Sequence, residues 1–166
     1  REGDYARVKV GHGGTLAPLA SGVLPLALGE ATKVSGHMLD ADKAYIFTIG
    51  FGEETDTLDL EGRVVATSHH RPTRAELQSV LGRFTGPIDQ VPPSLSAVRV
   101  EGKRAYARAR SGEEVALAPR SVQVHELAVE QVVPEGEGRL VTATLSARVS
   151  KGTYVRSLAR DIALSL

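Results

Sequence analysis

Gly11-His12-Gly13-Gly14-Thr15-Leu16-Ala17-Pro18-Leu19-Ala20-Ser21-Gly22-Val23-Leu24-Pro25 is the stretch from which the rest of the chain is read. Its glycines let backbone approach a ligand closely, although a tight turn would account for them equally well. Their spacing fits neither a dinucleotide fingerprint nor a P-loop. Residues 8–22 read as a loop running into a short helical turn, with Thr15 as its cap and Pro18 in its first turn. Val23 to Leu28 predicts a short buried strand despite Pro25. The apolar run Leu16 to Leu28 is interrupted by Pro18, Gly22 and Pro25 and is too short to span a bilayer.

Downstream, Ala31, Val34 and Met38 fall at helical spacing, predicting a helix over Glu30 to Leu39 that Gly36 weakens. Tyr45, Phe47, Ile49 and Phe51 alternate as in a half-buried strand. Asp56-Thr57-Leu58-Asp59 with Glu61-Gly62 is a turn into a second strand, Arg63 to Thr67. Thr73-Arg74-Ala75-Glu76 is a capping box. It opens a helix carrying Leu77, Val80, Leu81 and Phe84 on one face and ending at Gly86-Pro87. Pro92-Pro93 starts a loop, Ser96 to Val100 a strand, and Arg104 to Arg110 a short basic helix stopped by Gly112. Ser121 to Val133 and Arg139 to Val149 form a hairpin around Glu135-Gly136-Glu137-Gly138. Gly152 then turns the chain into a last helix with Val155, Leu158, Ile162 and Leu166 inward. Hairpins interleaved with a few helices predict an α+β fold with a mostly antiparallel mixed sheet, flanking helices and one domain over residues 1–166.

The chain has 166 residues, 42% hydrophobic and 24% charged, which suits a globular domain able to bury a core. With no cysteine, disulfides, thiolate metal sites and thiol nucleophiles are excluded. The net charge is zero, so nucleic-acid binding would require lysine and arginine gathered on one face. His37, His69, His70 and His125 have no convincing metal-ligand spacing, and no metal is expected. Ser21 before Gly22 does not make a nucleophile elbow.

The opening stretch continues into Gly29-Glu30-Ala31-Thr32-Lys33, and together these residues closely resemble the active-site motif of the TruB family of tRNA pseudouridine synthases. Asp42-Lys43-Ala44-Tyr45 resembles the family's second motif. Pro92-Pro93 with Ser96-Ala97-Val98-Arg99 and Gly102-Lys103-Arg104-Ala105-Tyr106 resembles a third, and Ser150-Lys151-Gly152-Thr153-Tyr154-Val155-Arg156-Ser157 a fourth. The resemblance spans roughly residues 8–166. It implies a pseudouridine-synthase-like catalytic domain that detaches a uracil from its ribose, turns the base over and rejoins it through carbon. That chemistry needs a carboxylate acting at the sugar, an arginine to orient it, and an aromatic ring to hold the flipped base away from water.

Carried over position by position, Tyr45 corresponds to the family's active-site tyrosine and Arg156 to the arginine that pairs with the catalytic aspartate. From periodicity alone Tyr45 is equally a core aromatic of a strand, and Arg156 a solvated helix residue. His12 corresponds to a histidine that contacts RNA near the flipped nucleotide. Gly14, Thr15, Lys33, Lys151 and Tyr154 are implied in substrate binding, while each lysine alone also reads as a plain surface residue. The implied substrate is the T-loop uridine of tRNA (position 55 in tRNA numbering), bound through the T-arm by a cytoplasmic monomer with no membrane attachment and no cofactor.

The pattern breaks at one position. Between Leu16 and Pro18, where the family carries its essential aspartate, this chain has Ala17. A methyl group can neither attack, accept a proton nor pair with Arg156, so the chain is expected to be catalytically dead. Asp40 and Asp42 belong to a different motif and are not substitutes. Two origins fit: an aspartate-to-alanine change made in an active parent, which the otherwise intact motif favours, or a natural protein that lost catalysis and kept RNA binding. Leu95 replaces the aromatic usual before Ser96-Ala97. Relative to the family pattern the chain reads as incomplete at both ends, without a tail RNA-binding domain. Arg156 is expected close to the Ala17 side chain, with Tyr45 lining the same cleft.

Overall fold

The opening motif begins in a small antiparallel ribbon, β1 (Val10–His12) against β2 (Leu26–Leu28), with Gly11 opposite Ala27. The computed structural model describes residues 8–17, 19–93, 99–100, 103–104 and 117–166. It comprises two compact units, Arg1–Asp42 and Lys43–Leu166.

In the first unit, the Gly13 amide donates to the Pro25 carbonyl at 2.8 Å, closing the loop after the ribbon. Gly13 is buried, and a Cβ there would sit 2.7 Å from Met38 Cβ, so the close approach requires glycine. A 3-10 turn, Gly29–Lys33, and a short helix α1 (Gly36–Asp40) follow. The helix expected over Glu30 to Leu39 is thus split, with the break just before Gly36. The strand expected at Val23 to Leu28 is shorter than its apolar run, and Val23, Leu26 and Leu28 are exposed rather than buried. Pro25 has no amide to give a ladder, so pairing starts only after it. Among the described residues no helix starts at Thr15. The local feature is a single turn in which the Ala20 amide donates to the Ala17 carbonyl at 2.9 Å.

The second unit is built on a four-stranded antiparallel sheet in the order β3 (Lys43–Gly50), β10 (Arg139–Val149), β9 (Arg120–Glu135), β6 (Gly86–Gln90). On β10, Ala143, Leu145, Ala147 and Val149 alternate inward as their sequence pattern predicts. A register shift between Leu140 and Thr142 keeps Leu140 buried three positions earlier. Tyr45, Phe47 and Ile49 share the inner face of β3, where Tyr45 is opposite Ala147.

Helices α2 (Arg74–Leu81) and α3 (Val155–Leu164) supply the other half of the core through Leu77, Val80, Leu81, Leu158 and Ile162. Thr73 and Glu76 form the expected capping box, and a 3-10 turn, Gly82–Phe84, extends α2. Two ribbons complete the described elements, β4 (Glu53–Thr55) with β5 (Val64–Thr67) and β7 (Arg99–Val100) with β8 (Lys103–Arg104). The fold class is α+β, as the interleaving of hairpins and helices implied.

Gly86-Pro87, read from sequence as a helix stop, also starts strand β6. A proline is admissible there because β6 is an edge strand bonded only to β9. Arg104 lies in a strand rather than opening a helix. The rest of that expected basic helix, and residues 96–98 of the expected strand, lie outside the described residues.

Candidate active site

The most elaborated polar arrangement among the described residues is built on the loop between β4 and β5. Leu58 takes a positive φ of 59°, which winds Thr55 to Asp59 into a tight coil. The Leu58 amide donates to the Thr55 carbonyl at 3.1 Å, and Thr55 Oγ1 donates to the Asp59 carbonyl at 2.7 Å. Asp56 Oδ1 accepts from the Arg63 amide at 3.0 Å and ties the two ends of the loop. Gly62 is required because a Cβ there would overlap Thr57 Oγ1 and Asp56 Oδ1.

The coil presents one carboxylate to the start of α3. Asp59 Oδ1 accepts from Thr57 Oγ1 at 2.6 Å and from the Glu61 amide at 3.0 Å. Asp59 Oδ2 accepts from Arg156 Nη1 at 2.9 Å, and the same nitrogen donates to the Thr57 carbonyl at 2.8 Å. Both side chains are mostly buried, with 29% of Arg156 and 21% of Asp59 exposed, so their attraction is screened less than that of a surface pair. Burial pushes the Asp59 carboxyl up. The Thr57 hydroxyl, the Glu61 amide and the Arg156 guanidinium outweigh it and hold the group below the ordinary carboxylate range.

Arg156 and Asp59 line a cavity of about 730 Å³ within the second unit, with Phe51, Leu58, Ala159 and Ala163 among its apolar walls. An arginine at an apolar-walled cavity is fixed in direction and suited to orienting an anionic or carbonyl oxygen.

Helix α3 carries Arg156 on its first turn. Tyr154, the residue before α3, uses no side chain as a cap, yet both its backbone groups are held by Gln90. Tyr45 is half-buried on the inner face of β3 and packs against the core, outside the cavity lining. Burial raises its phenol above the usual tyrosine value, so the ring is neutral at ordinary pH.

The remaining sequence-derived positions are placed within their own units. In the first, Ala17 and Thr15 are exposed in the loop after β1, Gly14 is half-buried, and His12 Nδ1 contacts the Gly14 carbonyl. Lys33 pairs with Glu30 on the surface. In the second, Lys151 is exposed and Tyr154 half-buried. In the sequence Asp59 stands only as a turn residue. The signal available for it was the density of Thr and Asp in Thr55-Asp56-Thr57-Leu58-Asp59, more side-chain oxygens than a simple turn uses. Among the described residues no group of three or more His, Asp and Glu side chains could hold a metal, and no helix is long and apolar enough to cross a membrane.

The α+β fold, the glycine loop and the arginine at the cavity define one class. The chain belongs to the TruB family of pseudouridylate synthases, whose N-terminal domain matches residues 4–155. It is 59% identical over 166 residues to tRNA pseudouridine synthase B of Novosphingobium aromaticivorans, covering 100% of this chain and 54% of that protein. It is 56% identical over 160 residues to the protein of the same name from Zymomonas mobilis, covering 96% of this chain and 51% of that one. The chain therefore spans about half the length of these curated relatives. Among solved structures it resembles a chain of a Cbf5-Nop10-Gar1 complex, with a TM-score of 0.64 and 31% identity over 95% of this chain and 36% of that one. It also resembles a chain of an H/ACA RNP bound to a substrate RNA containing 2'-deoxyuridine, with a TM-score of 0.61 and 26% identity over 95% of this chain and 34% of that one.

Proposed function

We propose that residues 1–166 are the catalytic domain of a tRNA pseudouridine synthase that isomerises the T-loop uridine, and that with Ala17 this chain binds its substrate without turnover. The observation that carries the reading is Arg156, held by Asp59 and Thr57 at an apolar-walled cavity on a chain whose motifs are those of the family. In the active form an aspartate at position 17 acts at the ribose. The bond from base nitrogen to sugar breaks, the freed uracil turns, a carbon bond to the sugar forms, the proton on that carbon leaves, and the released nitrogen takes up a proton, so that composition is unchanged. By resemblance to the family, Arg156 is the arginine of the catalytic machinery and the neutral ring of Tyr45 its aromatic. His12, Gly14, Thr15, Lys33, Lys151 and Tyr154 contact the T-arm. The protein acts as a cytoplasmic monomer and needs no cofactor.

The test restores aspartate at position 17 in the full-length gene product and assays a T-stem-loop RNA for pseudouridine. Product from A17D and none from the alanine form supports the reading. No product from the restored protein overturns it.

Ala17 itself favours a second reading, a tRNA-binding and remodelling protein of the same fold that performs no isomerisation. If the natural gene encodes alanine at position 17 and its product binds the T-arm with an affinity that falls steeply with salt, that second reading holds.

A further inference from the structure

We infer that Gln90 is a positioning residue for Arg156, acting through the backbone of Tyr154. The inference rests on the role given to Arg156 above. Gln90 ends β6 and is 1% exposed. Its Oε1 accepts from the Tyr154 amide at 3.0 Å, and its Nε2 donates to the Tyr154 carbonyl at 3.3 Å. A primary amide that pairs with both the N–H and the C=O of one residue satisfies both groups and fixes the height and the rotation of the segment it holds. The next residue continues the joint. The Val91 carbonyl accepts from Ser157 Oγ at 2.8 Å and from Arg160 Nη2 at 3.3 Å. Ser157 is fully buried, so two buried polar side chains, from opposite sides, meet at one seam between β6 and the start of α3.

The seam brackets Arg156. Tyr154 lies two residues before it and Ser157 one after. Arg156 Nη1 must meet the Thr57 carbonyl and Asp59 Oδ2 together, a geometry that a small slide or roll of the first turn would break. An apolar residue of similar size at position 90 would fill the volume, but it would leave the Tyr154 amide without the Gln90 oxygen and the start of α3 tied to this strand end only through the Val91 carbonyl, which Ser157 and Arg160 share.

The experiment compares Q90L, Q90E and Q90N in full-length protein carrying A17D, with T-stem-loop RNA as substrate. Q90L is expected to lower kcat by about tenfold to a hundredfold while KM changes by less than about twofold, because reacting groups are misaligned and RNA contacts are kept. Q90E supplies a pH signature. Its ionised carboxylate can accept from the Tyr154 amide but cannot donate to the Tyr154 carbonyl, whereas the neutral acid can do both. Its kcat should therefore rise as pH falls, along a limb that the parent lacks. Q90N, which is too short to bridge both groups, should fall between Q90L and the parent. A folded Q90L with the parent's kcat, or a Q90E whose pH profile matches the parent's, overturns the inference. If A17D alone makes no pseudouridine, the functional reading has failed separately, and the inference is decided in the alanine chain by the Arg156 guanidinium NMR signal, identified by its loss in R156K. A signal moved or broadened by Q90E supports the clamp, and one left unchanged overturns it.

Discussion

Arg156 and Asp59 are 97 residues apart in sequence and meet at 2.9 Å between the first turn of α3 and the coiled loop after β4. Every oxygen of the Asp59 carboxylate is occupied, one by Thr57 and Glu61 and the other by Arg156. The loop is thus folded around the carboxylate, and the carboxylate holds the arginine.

Asp59→Asn is expected to cost about 1–3 kcal/mol at neutral pH, since it leaves a largely buried guanidinium with a weaker partner. The sign with pH follows from the depressed carboxyl. The contribution of Asp59 is present above the ordinary carboxylate range and lost as pH falls through its lowered native value. Chemical denaturation at several pH values checks this. The asparagine form should lose less stability than the parent on acidification, and equal losses would mean that Asp59 is not a linked group.

Gly62→Ala should disrupt the same loop from its far side. Its Cβ would collide with Thr57 Oγ1 and Asp56 Oδ1, both of which are engaged in holding the coil. A destabilisation of about 1–3 kcal/mol is expected from overpacking. In an A17D background, activity should fall further than stability alone accounts for. Thermal melting and single-turnover rates measured on the same preparation separate the two effects.

Thr73→Ala tests the cap of α2. Thr73 Oγ1 accepts from the Glu76 amide at 3.2 Å, and Glu76 Oε2 accepts from the Thr73 amide at 2.6 Å. Loss of the N-cap should cost about 1 kcal/mol. The Thr73 amide and hydroxyl hold Glu76 below the usual carboxylate range, so the parent's cap weakens only as pH falls through that lowered value. The alanine form should show a smaller acid-dependent change in melting temperature than the parent.

Where one force dominates, the sequence was legible. Leu158 and Ile162 at helical spacing, the alternation along β10, and the Thr73/Glu76 box each follow from burial or capping alone. Elsewhere tertiary context overrides local signal. Gly86-Pro87 looks like a terminator, yet an edge strand tolerates it. Val23 to Leu28 looks like a core strand because its composition is apolar, but composition does not say what covers it. Asp59 was hidden for a different reason. The surplus of side-chain oxygens in Thr55 to Asp59 hints at more than a turn, but the partner of Asp59 is brought close only by the fold. Tyr45 and Arg156 stand out only through motif resemblance, since periodicity alone does not separate a functional ring or cation from a structural one.

Tyr45 gives a spectroscopic test of its own placement. Its ring packs against the core beside Ala147, and burial raises the phenol above the usual value. The native state therefore retains this proton where the unfolded chain has released it. The stability supported by the neutral phenol is present below the ordinary tyrosine pKa and is lost as pH rises through the raised one. In an alkaline titration followed by phenolate absorbance, Tyr45→Phe should remove a component that ionises above the usual tyrosine range, with little change in melting temperature at neutral pH because the aromatic packing is retained. It should also flatten the loss of stability at high pH. If the component removed by the substitution ionises at the usual tyrosine value, the ring is open to solvent and does not pack on the inner face of β3.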